Sequence, residues 1–554
     1  MIKLQNLSIF FALLILSLFA TTILRSHHFL NSKKYQYATS DGVLMLNHQS
    51  MIQKSNNEEV LGEFQVARNG LRPMTEKNFF EFIIGLSKKL NISSYQGSKI
   101  FATSIFFLAL MSITLGAFIL SNSLLLAGTL LIFTTQSPYF NWMRYQTFCP
   151  KMWGFSFFPI IFLLFLKIIE DFSSKTVRDS KVSLIAFFTL FALASTFYPA
   201  SVAYYVPAML FAGLVLIIIK ESFNIRNILS KSEHKRVLLF FTFLSLSFLV
   251  FFLTKEKPHG LIGPPPKEIT ELVYNNHKLT YNRFLEYVQN TYFYLIVSIF
   301  MIFDFHFRRR TSFRNIAIFF LTFSLAVIAE SIATQYMANF NDFIRMIWPW
   351  RSYYFGYFSF SCICALWVYD RFSLQITQAK GLLKYASATI IFVIAFNHYT
   401  FTSAGQLIKN IAPHYTNKNL VTAESIEFEN MKNVIDFAKR QPAASIFVMP
   451  RRGAYTLFDS IFEIETNQIA IMGDLERTLF IGMTNKTKKY YNFLYRFKSI
   501  YNHPQKNYEN KIIELAKDLN SKFVIIDNKF LEKNKIELKG PIAFKDEIWT
   551  ILTY

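Results

Sequence analysis

A handful of side chains in this sequence have the chemistry of a site and not that of a core. Asp41 stands in "YATSDGVLMLNHQ", just past the first apolar segment. A carboxylate there can act as general base for an acceptor hydroxyl or amide, or give hard oxygen ligation to a divalent cation such as Mg or Mn. Thr39, Ser40 and Asp41 are also the residue types that cap a helix N-terminus, and the two roles are compatible. His48 follows two helical turns later, so both can share one face and His48 can serve as a second base. Arg144 in "FNWMRYQTFCPK", with Arg345 and Arg351 in "FNDFIRMIWPWRS", can grip a phosphate through paired hydrogen bonds. Beside Trp348 and Trp350 they equally suit an aromatic belt at a membrane surface. Glu330 lies inside "IAIFFLTFSLAVIAESIATQ", where a carboxylate is costly unless it faces a polar cavity, a partner or the interface.

The elements that must position these groups are set by composition. The chain has 554 residues, is 52% hydrophobic and 18% aromatic, and carries only 17% charged residues. That is well below the roughly 25% of a soluble protein. The 63 Phe exceed what one or two water-soluble cores can bury, so the bilayer is the first expected partner. The net charge of +22 does not argue for nucleic acid, because the segment from Leu420 to Tyr554 contributes a surplus of only three. The remainder belongs to the apolar part, where cytoplasmic loops collect Lys and Arg. Cys149, Cys362 and Cys364 form no CxxC pattern and no His/Cys cluster, which leaves no case for a zinc site or a disulfide framework.

A spanning helix needs about 20 mostly apolar residues. Runs beginning near Leu7, Phe101, Leu124, Trp153, Val182, Ala200, Val237, Tyr292, Ile316, Tyr353 and Leu383 predict a polytopic α-helical membrane protein with about 11 transmembrane helices. The third run is short enough to be a re-entrant hairpin, and the eighth is also brief. One set of loops is short and basic: Lys175 to Lys181, Lys220 to Arg236, Arg308 to Arg314, and Arg371 to Lys384. With these loops in the cytoplasm, the N-terminus is inside and the C-terminus outside. The opposite loops are longer, at 26–100, 139–152, 255–291 and 335–352, and they hold Asp41, His48 and the three arginines. "MTEKNFFEFIIGLSKKL" in the first of them reads as an interfacial helix or as packing beneath the loop.

The organisation expected is a multi-pass domain over 1–402, a linker over 403–419 and an extracytoplasmic soluble α/β domain over 420–554. In the last, "ESIEFENMKNVIDFAKR" and "YENKIIELAKDL" have helical spacing. "SIFVMP", "NQIAIM" and "KFVIIDN" read as buried strands, and "PIAFKDEIWTILTY" as a closing hairpin around Lys545 and Asp546. No phosphate loop, nucleophile elbow or metal signature appears there.

The layout resembles the GT-C class of membrane glycosyltransferases, with "DGVLMLNHQSMIQKSN" similar to that family's acidic residue and following amphipathic helix. "FDSIFEIETNQIAIMGD", "YNFLYRF" and "LAKDLNSKFVIIDN" also resemble bacterial multi-pass proteins whose soluble tail belongs to a domain family of unknown function. The resemblance implies a sugar donor carried on a polyprenyl phosphate and an extracytoplasmic glycan, lipid or protein acceptor, in a bacterial inner membrane. It implies Asp41 as base or metal ligand and the arginines as phosphate contacts. Tyr198, in "STFYPASVAYYVP", stands where related proteins often have His before Pro, and is a substrate-binding candidate with Glu330. The rival readings are a transporter or lipid flippase, and a non-catalytic assembly protein that displays the soluble domain.

Overall fold

The computed structural model describes residues 13–18, 74–135, 150–173, 177–196, 205–221, 230–254, 279–340, 352–378, 423–450, 458–471, 495–504 and 507–554, apart from single positions within these spans, together with Ser137, Tyr139 and Asn224. The expected eleventh run and the linker lie outside them, as does most of the first loop. The chain divides into two compact units. One comprises 1–27, 102–256 and 277–418; the other comprises 28–101, 257–276 and 419–554.

Among the described residues nine helices carry the apolar sequence, preceded by α1 (Met74–Lys89). They are α2 (Ser94–Ser121), α3 (Leu124–Thr135), α4 (Pro150–Ser173), α5 (Val177–Ser195), α6 (Val206–Lys220), α7 (Ser232–Thr254), α8 (Tyr281–Phe307), α9 (Thr311–Met337) and α10 (Tyr353–Gln378). Among the described residues four helices, lying within α2, α4, α8 and α9, are long and apolar enough to cross a membrane. The 12 residues of α3 reach about 18 Å, short of the roughly 30 Å hydrocarbon layer. The run expected to be brief at Tyr292 becomes a 27-residue helix, because the polar turn from Tyr281 to Asn290 continues it.

In the first unit α4 is apolar on every side and is buried on every side, which makes it the central helix. Phe158 and Phe162 pack on Phe323, and Phe162 and Phe165 pack on Phe319, both from α9. Phe165 stacks on Phe241 of α7. Glycines allow close approaches between the helices, two of them around α6 and α10. A methyl group on Gly213 of α6 would lie 2.6 Å from Phe241 and 3.0 Å from Ile169. One on Gly356 of α10 would meet Val327 and the Ser324 carbonyl of α9 at 3.2 and 3.3 Å. Small residues at such crossings let helix backbones approach where lipid supplies no hydrophobic drive. In the other direction, α8 presents Tyr292, Ile296, Phe300, Phe303 and Phe307 at helical spacing and more than half exposed. That stripe is an apolar face for lipid.

The second unit contains a five-stranded mixed sheet. β1 (Ile446–Val448), β2 (Ile469–Ile471) and β3 (Phe523–Asp527) are parallel; β4 (Ile542–Lys545) and β5 (Trp549–Thr553) form an antiparallel hairpin on β3. The order is β2-β1-β3-β5-β4. Helices α11 (Ala423–Lys439), α12 (Phe458–Glu465), α13 (Tyr508–Lys517) and α14 (Asn528–Lys533) accompany it. Phe447 stacks on Phe523 at 4.7 Å, and Phe462 of α12 and Phe437 of α11 meet these two rings edge-on. Asp546 closes the hairpin by accepting from the backbone N–H groups of Ile548 (2.9 Å) and Trp549 (2.6 Å). In α1, Phe79, Phe80 and Ile83 are buried, with Phe79 set edge-on to Phe101 of α2 at 5.1 Å. Packing, the second alternative for that segment, accounts for this face.

Candidate functional site

Helices of the first unit meet at both ends, and the two ends are built differently. At one end lie the C-termini of α4, α6, α8 and α10 and the N-termini of α7 and α9. Asp304 accepts from Arg308 Nε (2.9 Å), from Trp367 Nε1 (2.9 Å) and from Arg371. Asp370 takes Arg308 and, at 3.3 Å, Arg310 Nε. Glu221 accepts from Lys231 (2.6 Å) and pairs with His234 Nε2 (2.8 Å). The Lys231 hydrogen bond, followed by that of His234, holds the Glu221 carboxyl below the usual carboxylate range. Glu170 meets Lys220 at 3.0 Å, and Asp171 meets Lys167 at 2.8 Å. Each of these carboxylates has a cation, so this end works as a set of staples between helices.

The opposite end holds the start of α4 and α6, the close of α5 and α9, and the start of α10. Its described contacts are neutral. Trp153 Nε1 donates to the Leu193 carbonyl (2.7 Å), and the Tyr139 hydroxyl donates to the Phe155 carbonyl (2.8 Å). Ser331 and Ser352 share a hydrogen bond of 2.6 Å between α9 and α10. Tyr205, immediately before α6, is enclosed by Phe158 (4.9 Å) and Phe355 (5.3 Å). Its hydroxyl is buried with no hydrogen-bond partner among the described residues. Gln335 is one turn beyond Ser331 on α9, and its Oε1 is buried and likewise without a partner. Glu330 is half-buried beside them in sequence, in no ion pair among the described residues, while Thr334 donates to its backbone carbonyl at 2.7 Å. Leaving a buried polar atom unpaired costs about 1–3 kcal/mol, a cost that a bound hydroxyl-bearing ligand would remove. The neutral end is therefore the candidate site.

Of the residues singled out by sequence, Glu330 is described and lies at this end. Asp41, His48, Arg144, Tyr198, Arg345 and Arg351 lie outside the described residues. The described residues that flank the last four are Tyr139 and Pro150, Thr196 and Tyr205, and Phe340 and Ser352, which belong to helix ends of this side. Gln335 and Tyr205 were not anticipated. An amide inside "IATQYM" was a readable signal; one Tyr among 28 was not. Among the described residues no three His, Cys, Asp or Glu side chains gather as a metal site.

An apolar helical bundle with a lipid-facing stripe and stapled, basic helix ends defines an integral, polytopic α-helical membrane protein. No family model and no curated protein matches the sequence. By fold, solved structures align: ArnT from Cupriavidus metallidurans, a GT-C glycosyltransferase, does so in two states. The structure bound to undecaprenyl phosphate covers 99% of this chain and 98% of its own, with a TM-score of 0.45 and 8% identity. The apo structure covers 100% and 98%, with a TM-score of 0.44 and 9% identity. At that identity and score the likeness leaves the reaction to be argued from the residues of this chain.

Proposed function

We propose that the protein is a membrane glycosyltransferase that moves a sugar from a polyprenyl-phosphate-linked donor to an extracytoplasmic acceptor. The observation that carries this reading is a local one: among the described residues Tyr205 and Gln335 keep buried hydrogen-bonding atoms without a partner, at the end where Glu330 is in no ion pair. The carboxylates of the other end are held by cations, even though His234 Nδ1 there is also without a partner among the described residues. With the basic end in the cytoplasm, the neutral end faces outward, on the side of the loop that bears Asp41. Asp41 takes the proton of the acceptor hydroxyl as its oxygen attacks the anomeric carbon. The bond from that carbon to the phosphate oxygen breaks, and the lipid phosphate leaves against Arg144, Arg345 or Arg351. Glu330, Tyr198, Tyr205 and Gln335 hold hydroxyls of the sugar or the acceptor. His48 stands as a second base, and a Mg or Mn ion on Asp41 is the alternative role for that carboxylate.

The test is the full chain reconstituted in liposomes and given a panel of radiolabelled polyprenyl-phosphate sugars. Release of free polyprenyl phosphate, with sugar on an acceptor or on water, is expected for one of them. Saturable donor binding without release across the panel would instead favour the assembly protein, and movement of intact donor between leaflets would favour the flippase.

A further inference from the structure

The turn between α8 and α9 carries a feature that neither the staples nor the proposed reaction uses. Arg309 has φ 56°, in the left-handed region. Its N–H bonds the His306 carbonyl at 3.0 Å, and the Arg310 N–H bonds the Phe305 carbonyl at 2.9 Å. That is a helix-ending motif whose left-handed position normally takes glycine, or else asparagine. Asn91, Asn122 and Asn520 fill comparable positions elsewhere in this chain. A basic residue suits the negative end of a helix, but a β-carbon makes this backbone unfavourable. Arg308, Arg310 and Arg371 are engaged by Asp304 and Asp370. Among the described residues Arg314 bonds Asn315 Oδ1 and His306 Nδ1 and no carboxylate. The Arg309 side chain is exposed and has no ion pair among the described residues. Two residues before it the lipid-facing stripe of α8 ends at Phe307, which is 79% exposed. Apolar rings at the end of a spanning helix, with guanidiniums just past them that pair with no carboxylate among the described residues, are the arrangement of a headgroup contact.

We infer that Arg309, with Arg314, forms a docking point for the phosphodiester of an anionic phospholipid in the leaflet on the basic side of the bundle. The inference does not depend on the glycosyl-transfer reading. Its test uses the full chain in a neutral maltoside detergent, titrated with dioctanoyl phosphatidylglycerol. Dioctanoyl phosphatidylcholine and glycerol 3-phosphate serve as controls, and melting is followed in parallel. Arg309→Gly should melt no lower than the unsubstituted protein in phosphatidylcholine, because the glycine accepts the backbone. It should nevertheless bind phosphatidylglycerol about fivefold more weakly, the increment of one basic residue at an anionic surface. Arg309→Gln should lose the same binding while keeping the β-carbon. Lys535→Gly, which makes the same backbone exchange at a left-handed position in the sheet unit, should leave phosphatidylglycerol binding unchanged. Full phosphatidylglycerol affinity in both Arg309 variants would overturn the inference. So would glycerol 3-phosphate that binds as tightly as the lipid, since the site would then belong to a soluble anion.

Discussion

The two ends of the helical unit use similar residue types for opposite purposes. At the basic end, Asp304, Asp370 and Glu221 are each held by two or more donors, and polarity locks α8 to α10 and α6 to α7. At the neutral end the helices are held by rings, a Ser–Ser bond and bonds to backbone carbonyls, while Tyr205 and Gln335 keep buried side-chain atoms without a partner among the described residues, as His234 Nδ1 does at the basic end. A polar group in an apolar bundle either contributes fixation or is kept for something else. Which of the two applies can be read from its partners, not from its identity.

The comparison breaks most visibly at Asp41. Asn is a comparable helix cap, so if Asp41 only caps, Asp41→Asn should be mild. If it is the base, the variant should reach the membrane in normal amounts and lose sugar transfer by about 10²- to 10⁴-fold. Single-turnover assays on donor-saturated protein separate the two. The basic end should show the reverse pattern. Asp370→Ala leaves Arg308 and Arg310 without their shared, nearly buried carboxylate and should cost about 3 kcal/mol of stability, read as a lower melting temperature. Its effect on donor KM should be negligible.

Gln335→Leu sharpens the contrast by moving stability and function in opposite directions. Removing an amide whose buried oxygen has no partner among the described residues should leave the melting temperature unchanged or raise it by the equivalent of about 1 kcal/mol. Losing its hydrogen bond to a ligand should raise KM for donor or acceptor by about fivefold. Equal KM values for both proteins would remove Gln335 from the site. The smallest effect belongs to Glu221. Its carboxyl is held below the usual range in the folded protein, so its contribution is present at neutral pH and disappears as pH falls through that lowered value. Glu221→Gln should therefore melt slightly lower at pH 7, by less than about 1 kcal/mol, and the two melting curves should converge in acid.

Much of the framework was legible because it is local. The three strands fall inside "SIFVMP", "NQIAIM" and "KFVIIDN", and the hairpin turns at Asp546. Each signal is a short apolar run or a turn residue bonding its own backbone. The apolar helices were readable as runs, but their ends were less so. The sixth begins at Val206, not near Ala200, and the eighth extends back to Tyr281 through residues that no hydropathy window would include. Strand order was not readable, since β2 and β3 both follow β1 in sequence yet lie on opposite sides of it in the sheet. At the site, Glu330 was visible as a charge in an apolar run. Tyr205 became notable only when Phe158 and Phe355, distant in sequence, closed around it.

The strand order of the second unit has a consequence for synthesis. Of the five described strands β5 is translated after the other four, yet it lies inside the sheet, between β3 and β4, and its Trp549 indole donates to the Asn430 carbonyl of α11. The earlier strands therefore wait, with β3 and β4 each lacking a neighbour, until the segment at 549–553 has been translated and carried to the compartment where the sheet folds. A premature stop just before Trp549 would leave β3 and β4 with open edges, the kind of intermediate that quality-control proteases and chaperones recognise.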